Sequence, residues 1–460
     1  SMSNKPAHND VNVIILAAGQ GSRMNSNISK VLHEVGNKTL IQHVLDAASP
    51  LSSSINIIIG HASESVRNSI SNNKVQWVYQ KEQLGTGHAV MQALPNIDKD
   101  ATCLILYGDV PLIKTQTLKT LLEKGQQSGF SLLTVIQNDP SGYGRIERDS
   151  SKLIQSIIEH KDADNEQRKI NEINTGIMAV HVALLIKYLK QLEPNNSQGE
   201  LYLTDIVKKA VKDNVNIASF ICESSSEVMG INDKNNLAEA EREYQLKIAN
   251  ELMSQGLTIK DPGRFDCRGN LLFGKDCIID VNVVFEGENK LGKNVTISPN
   301  CIIKNSKIGD NANIMPNSII ENSVIGSDTN IGPFARIRPD TTIGNHAKIG
   351  NFVEIKKSTI SDGSKVSHLS YIGDSKIGKN VNIGAGVITC NYDGVNKHQT
   401  VVEDGVFIGS NTQLIAPVKI GANATIGAGS TITQDAPNEQ LTLSRSKQST
   451  IGKWKRPQKK

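Results

Sequence analysis

The chain has 460 residues, too long for one ordinary hydrophobic core, so two or three domains are expected. Hydrophobic residues make up 38% and charged residues 21%, which argues against wholesale disorder, and no apolar run approaches the length of a membrane span. The net charge of +4 is local: the tail "KWKRPQKK" holds Lys453, Lys455, Arg456, Lys459 and Lys460, the remainder is about neutral, and a general nucleic-acid binder is disfavoured.

That tail reads either as a solvated end or as a cationic arm near a polyphosphate ligand. "SMSNK" reads as an expression scar before Met2, and the polar opening shows no signal peptide. Six cysteines stand at 103, 222, 267, 277, 301 and 390, with no C-x-x-C pair. Reduced thiols and a cytoplasmic setting are the simple expectation.

Residues 11 to about 234 alternate strand and helix patterns. "VNVIILAA", "INIIIG", "VQWVYQ" and "CLILYGD" are short β-rich runs, and "LIQHVLDAAS" and "TQTLKTLLEKGQQ" have helical spacing. The alternation predicts an α/β domain, Rossmann-like, with a mostly parallel sheet and ligands at the carboxyl ends of its strands. Residues 235–255 follow as one amphipathic helix, with Leu237, Tyr244, Ile248 and Leu252 on one face. At 1.5 Å per residue it would span ~30 Å and serve as a linker.

From about residue 264 a six-residue period takes over. Ile325, Ile331, Ile337, Ile343, Ile349 and Ile355 are in unbroken phase. Val366 and Ile372 resume it, Ile377 and Ile383 follow one residue out of step, and Ile408, Leu414, Ile420, Ile426 and Ile432 close it. A helix needs a period near 3.6, so the repeat predicts a parallel β-helix over residues 256–460. Each coil is a triangle with one aliphatic residue inward per side and small or turn-forming residues at its corners. "GAGVITCNYDGVNKHQTVVEDGVF", between Ile383 and Ile408, is too long for a turn and reads as an extruded loop carrying Asn391, Tyr392 and Lys397.

Two stretches of the first domain suggest chemistry. In "LAAGQGSRM" a strand ends, Gly19 and Gly21 let the backbone approach a ligand, and Arg23 and Lys30 bring positive charge. Backbone N–H groups and cations together cradle phosphates, though a tight strand-to-helix turn is the plain alternative. In "LYGDVPL", Asp109 ends an apolar strand. It is placed to hold Mg²⁺ together with substrate phosphates, or to cap the next turn.

With "LAAGQGSRM…SK", "EQLGTGHA", "YGDVPL", "GYGRI", "EHKDA", "EINTGI" and "GIND" in this order, residues 1–234 resemble sugar-1-phosphate nucleotidyltransferases. "FARIRP", "NFVEIKKS", "SHLSYIGD", "NIGAGVITCNYDG" and "IGSNTQLIAPV" extend the likeness to about residue 456. The whole resembles the bacterial bifunctional N-acetylglucosamine-1-phosphate uridyltransferase/glucosamine-1-phosphate N-acetyltransferase family. The left-handed sense of the β-helix comes from that resemblance. So do two reactions: acetyl-CoA acetylates glucosamine-1-phosphate, then UTP and the product give UDP-N-acetylglucosamine and pyrophosphate for peptidoglycan and lipopolysaccharide synthesis. The alternative is a single-function nucleotidyltransferase whose β-helix is structural or regulatory.

The resemblance implies site residues. Leu16, Ala17, Ala18, Gly19, Lys30, Tyr107 and Gly108 would line the nucleotide site, with Arg23 and Lys30 on the triphosphate. Gln80, Gly85 and Thr86 would read the uracil, Gly144, Glu159 and Asn174 the N-acetylglucosamine, and Asp109 and Asn232 would hold Mg²⁺. His368 would be the base of acetyl transfer; for most of the ten histidines, His88 included, a structural role is the better reading. Arg338, Lys356, Tyr371 and Asn382 would bind the sugar phosphate, and Asn391 stands with both that group and the acetyl-CoA side. Ala385, Tyr392, Ser410, Ala428 and Arg445 would line the acetyl-CoA site, Ala385 through its N–H, with Lys397 a further candidate. One straight solenoid does not easily bring sites so dispersed to one point, and the resemblance implies a homotrimer whose sites draw on neighbouring chains, with small-molecule substrates as the other partners and neither nucleic acid nor membrane insertion. Ser22 and Ser29 depart from the threonine and proline common in the family, which touches loop stiffness rather than chemistry.

Overall fold

The apolar runs between Val11 and Cys222 form one nine-stranded sheet. Its strands are β1 (Val11–Leu16), β2 (Ser54–Ile59), β3 (Val75–Tyr79), β4 (Thr102–Tyr107), β5 (Phe130–Ile136), β6 (Arg145–Arg148), β7 (Ile154–Ile158), β8 (Glu172–His181) and β9 (Ala218–Cys222). The order is β9-β5-β8-β4-β1-β2-β3, with β6 and β7 hung from β8. β4, β1, β2 and β3 run parallel, and β8 is antiparallel to β4, β5 and β6. The computed structural model describes residues 10–460 apart from 53, 61–63 and 73. The opening "SMSNK" lies outside the described residues.

Both faces of the sheet are covered. Val13 and Ile15 enter one core and Ile14 the other, all fully buried, so the central strand carries a continuous apolar run from Val13 to Leu16 rather than an alternating one. The helices α1 (Leu40–Ala48), α2 (Thr86–Ala93) and α3 (Thr115–Ser128) pack on it. Thr39 caps α1 by accepting the Gln42 N–H, and Gly129 ends α3 at φ 87°. Chain order reverses between β1 and β4, whose carboxyl ends sit side by side as Leu16 and Tyr107. A ligand crevice is expected at such a switch point.

The chain divides into two compact units, Ser1–Tyr244 and Gln245–Lys460. The boundary falls inside the helix α4 (Lys234–Ser254). Its most buried positions are Ala240, Gln245, Ala249 and Leu252, whereas Leu237, Tyr244 and Ile248 are half-buried. Buried Gln245 accepts the Cys267 N–H at 2.7 Å, which fixes the helix end to the first coil of the second unit.

The second unit is the parallel β-helix of hexapeptide repeats, of the left-handed class. Ile302 stacks on Ile319 and Arg336 on Glu354, so a coil holds 17 or 18 residues. The shorter coil drops one residue from one side, which is why Ile377 falls one residue early. Ile297, Ile314, Ile331, Ile349, Val366, Ile383, Ile408 and Ile426 form one inward ladder, all nearly inaccessible. The extruded segment is shorter than the sequence suggests. Ile388–Cys390 and Thr400–Val402 stay in the ladder, opposite Tyr371 and Ser375–Ile377, and residues 391–399 alone leave it.

Replacing Ile349 by alanine is expected to cost this unit about 2–5 kcal/mol, because rigid neighbouring coils cannot close the cavity. Lys348→Ala, on the exposed side of the same strand, is expected to stay within about 0.5 kcal/mol. Denaturant unfolding of the two variants checks the contrast.

Candidate functional site

The cleft of the first unit opens where β1 and β4 end. It has a volume of about 280 Å³ and is lined by Leu16, Ala17, Ala18, Gly19, Lys30, Gln80, Gly85, Thr86, Tyr107 and Asp109, together with Val31, Gln83, Ala89 and Glu200. Gly108 donates its N–H to the Leu16 carbonyl, so the strand ends are tied. Gly21 has φ 62°, and a Cβ there would sit 2.7 Å from the Lys30 Cβ, so the loop closes on Lys30 because that residue is glycine. Arg23 lies exposed on the 3-10 turn Ser22–Met24.

Lys30 is the charge at the centre. Its Nζ donates to Asp109 Oδ2 at 2.7 Å and to Asn232 Oδ1 at 3.3 Å, largely out of solvent. The Ile231 N–H donates to the Asp109 carbonyl, which pins Asn232 beside the carboxylate. Two oxygen donors thus converge on one cation. That donor set fits Mg²⁺, which takes one or two protein oxygens and leaves the rest to phosphates and water. Among the described residues no group of three or more His, Cys, Asp or Glu gathers as a self-sufficient metal site. Burial, with the Asp109 carboxylate nearby, pushes the Tyr107 phenol well above its usual range.

Gln80 is nearly inaccessible, and its Nε2 donates to the Gly85 carbonyl at 3.2 Å and to His88 Nδ1 at 3.0 Å. His88 therefore orients the amide. Gly144 precedes β6, Glu159 follows β7 and Asn174 lies within β8, and the three come together. Asn174 donates its N–H to the Gly144 carbonyl, and a Cβ on Gly144 would lie 3.3 Å from Glu159 Oε1. Burial raises the Glu159 carboxyl, and the Asp205 and Asp162 carboxylates add to the shift.

In the second unit one corner of the triangle organises the residues. Asn282, Asn300, Asn317, Phe334, Phe352, Leu369, Gly386, Asn411 and Gly429 occupy it in successive coils, all with left-handed φ. The residues just before this corner form a column: Asn351, His368, Ala385, Ser410, Ala428. It is held by N–H donation from Leu369 to Asn351, Gly386 to His368, Asn411 to Ala385 and Gly429 to Ser410. Arg445 extends the column by donating to the Ala428 carbonyl. Four of the acetyl-CoA candidates, Ala385, Ser410, Ala428 and Arg445, therefore line up with His368, whereas Asn391 and Tyr392 lie off the column.

His368 is exposed, and its Nδ1 lies 3.1 Å from Asn351 Oδ1. An oxygen acceptor there selects the tautomer protonated on Nδ1 and leaves the Nε2 lone pair outward. Asn351 was not singled out from sequence; it stands one coil before His368, so the coil length points to it. Across the corner, Lys356 Nζ meets Asp374 Oδ2 at 3.2 Å, and Asn391 Nδ2 donates to the same oxygen and to Tyr371 Oη. Arg338 faces Glu354 at 3.5 Å. Asn382 sits on the side bearing His368, paired with Lys365. Asp374 and Glu354 are the anionic partners that the sequence reading missed.

Residues 391–399 form a self-braced loop. Lys397 Nζ lies 4.2 Å from the centre of the exposed Tyr392 ring. Asp393 accepts the Val395 and Asn396 N–H groups and His398 Nε2, and these bonds hold its carboxyl at about 2.

A family model described as MobA-like NTP transferase domain matches residues 13–175, and one described as GMPPB C-terminal domain matches 267–339 and 328–419. Bifunctional protein GlmU of Ruthia magnifica subsp. Calyptogena magnifica is 57% identical, covering 98% of this chain and 100% of that protein. The GlmU protein of Vesicomyosocius okutanii is 58% identical over 96% and 98%, and that of Legionella pneumophila (strain Paris) 51% over 98% and 99%. The chain belongs to the GlmU family. As a GlmU-type protein it is a bifunctional enzyme of UDP-N-acetylglucosamine synthesis, with an N-terminal nucleotidyltransferase and a C-terminal acetyltransferase domain. The alternative of a single-function nucleotidyltransferase is thereby set aside. No helix among the described residues is long and apolar enough to cross a membrane.

The Asp393 network carries a pH sign. Its carboxyl is depressed in the folded state, so its contribution is full above the usual carboxylate range near 4 and is lost as pH falls through about 2. At pH 7 the loop is expected to resist limited proteolysis, and Asp393→Ala is expected to expose residues 391–399 to cleavage.

Proposed function

We propose that the N-terminal cleft transfers uridylyl from UTP to N-acetylglucosamine-1-phosphate, and that the column at His368 transfers acetyl from acetyl-CoA to glucosamine-1-phosphate. In the first reaction a phosphate oxygen of the sugar attacks the α-phosphorus, a new P–O bond forms, and pyrophosphate leaves with the old one. The nucleophile is already ionised, so no general base is needed. The difficulty is bringing two anions together. Lys30 and Arg23 supply positive charge to the triphosphate, and the Leu16–Gly19 backbone holds it. Gln80, Gly85 and Thr86 take the uracil edge, and Gly144, Glu159 and Asn174 take the sugar. Asp109 and Asn232 would hold Mg²⁺, which when bound supplies Lewis-acid neutralisation of phosphate charge.

In the second reaction the sugar amine attacks the thioester carbonyl, and His368 Nε2 takes the amine proton. Negative charge develops on the carbonyl oxygen, and the coenzyme leaves as the thiolate. The Ala385 N–H, one coil away, has no protein acceptor among the described residues and is available to that oxyanion. This free donor beside an outward imidazole is the observation that carries the acetyl-transfer assignment. Arg338, Lys356, Tyr371 and Asn382 take the sugar phosphate. Tyr392, Ser410, Ala428 and Arg445 take the coenzyme, and Asn391 lies between the two groups.

Two further readings accompany these roles. Six free cysteines support a reducing, cytoplasmic setting. A homotrimer is supported by the corner beside His368, where Phe334, Phe352 and Leu369 are about half exposed or more, and the two rings stack at 5.3 Å. A second copy covering this strip would also enclose an otherwise open site.

Asp109→Ala is expected to abolish pyrophosphate release from UTP, Mg²⁺ and N-acetylglucosamine-1-phosphate while leaving thiol release from acetyl-CoA and glucosamine-1-phosphate intact. His368→Ala is expected to do the reverse, with a ~10²–10⁴-fold loss of acetyl transfer. Equal loss of both activities in either variant contradicts separate sites. Phe352→Asp, in a conformation that aspartate tolerates, is expected to give a monomer by light scattering with acetyl transfer lost and uridylyl transfer kept. Monomeric wild type with full acetyl transfer sinks the trimer.

A further inference from the structure

Arg145 is a large charged residue with 2% of its surface accessible, and no role above uses it. A buried guanidinium is expected to face a carboxylate. Here its hydrogen-bond partners among the described residues are carbonyls and an imidazole nitrogen, and the exposed Asp139 carboxylate acts on it only through space. Nε donates to the Ile170 carbonyl at 3.2 Å, Nη1 to the Tyr143 carbonyl at 2.7 Å and to His160 Nδ1 at 3.1 Å, and Nη2 to the Arg168 carbonyl at 3.4 Å. These partners lie on three separate segments, and two of them adjoin the sugar candidates: Tyr143 precedes Gly144, and His160 follows Glu159. Arg145 itself is paired with Ile158 on β7 and with Ile173, the neighbour of Asn174, on β8.

We propose that Arg145 is the positioning residue of the sugar subsite. Its planar fork bonds the segments that carry Gly144 and Glu159 in one rigid frame, and its main chain joins that frame to Asn174. The choice of arginine follows from geometry: donors in several fixed directions reach carbonyls that a lysine ammonium, a single point, cannot reach together. Space is tight in the same place, since a Cβ on Gly144 would sit 2.8 Å from Ile157 Cγ2. The Glu159 carboxylate lies close against the Gly144 backbone, and Arg145 bonds the segments on both sides of it. The UTP contacts, from Leu16–Gly19, Lys30 and Gln80, share none of these bonds. This inference rests on the assignment of Gly144, Glu159 and Asn174 to the sugar.

The test is steady-state uridylyl transfer by the full chain, with the KM for N-acetylglucosamine-1-phosphate and the KM for UTP measured separately. Arg145→Met is expected to raise the sugar-phosphate KM at least ~10-fold, as loosened positioning does. The UTP KM is expected to stay within about twofold and acetyl transfer to be unchanged. Arg145→Lys is expected to recover part of the loss. Unchanged sugar-phosphate KM in Arg145→Met, or an equal rise in both KM values, overturns the proposal. Should Arg145→Met fail to fold, His160→Ala, which removes one partner, must still raise the sugar-phosphate KM selectively; if it does not, the proposal falls. Wild type run alongside separates the two levels: silence with this sugar phosphate overturns the underlying assignment and the proposal together.

Discussion

The second unit depends on one backbone requirement, a residue in the left-handed region at the corner of every coil. L-residues resist that conformation by ~1–2 kcal/mol each, and glycine or asparagine escapes most of it. Along most of the corner the chain obeys, with Asn282, Asn300 and Asn317 before the site and Gly386, Asn411 and Gly429 after it. Phe334, Phe352 and Leu369 break the rule in three consecutive coils, and the third directly follows His368. Strained backbone that persists is usually tied to function. Here the strain holds apolar side chains outward beside the imidazole, where an aqueous surface gives them nothing in return.

The first unit solves a different problem, that of assembling anions. Lys30 satisfies Asp109 and Asn232 while no polyanion is bound, so neither oxygen is left unpaired in a half-buried cleft. On the proposed assignment, Asp109 and Asn232 would hold Mg²⁺ and the Lys30 ammonium would turn to the phosphates.

Periodic features were the easiest to read from sequence. A six-residue isoleucine repeat admits one architecture, and alternating β-rich and helical runs admit few. Motif residues around Gly19, Gln80 and Asp109 do converge, because strand ends at a switch point are close by topology. What stayed hidden was held by pairing across coils or loops. Asn351 beside His368 needs the 17-residue coil length, which a period of six does not supply. Asp374 looks like a corner residue until Lys356 and Asn391 are seen on it. Arg145 lies inside a recognised motif, "GYGRI", yet its partners at 160, 168 and 170 are set by how β6, β7 and β8 hang together. The extruded loop was overestimated for the same reason: Thr400–Val402 re-enters the ladder without an isoleucine to mark it.

A solenoid also makes distance a function of coil number. Adjacent coils lie ~4.8 Å apart, so Ala385, Ser410, Ala428 and Arg445 mark out a straight track of roughly 14 Å leading away from His368. An extended thioester coenzyme laid along that track would bring its carbonyl to Ala385 and its far, anionic end toward Arg445 and the basic tail beyond it. The stack itself fixes the spacing, since each inward aliphatic residue within the ladder is packed between those of the coils on either side. The parts left to adjust are at the rim: the loop braced by Asp393 and the strip of Phe334, Phe352 and Leu369. Rate and selectivity in this unit should therefore respond to changes at those exposed positions more than to conservative changes in the ladder, which can alter stability without moving the track.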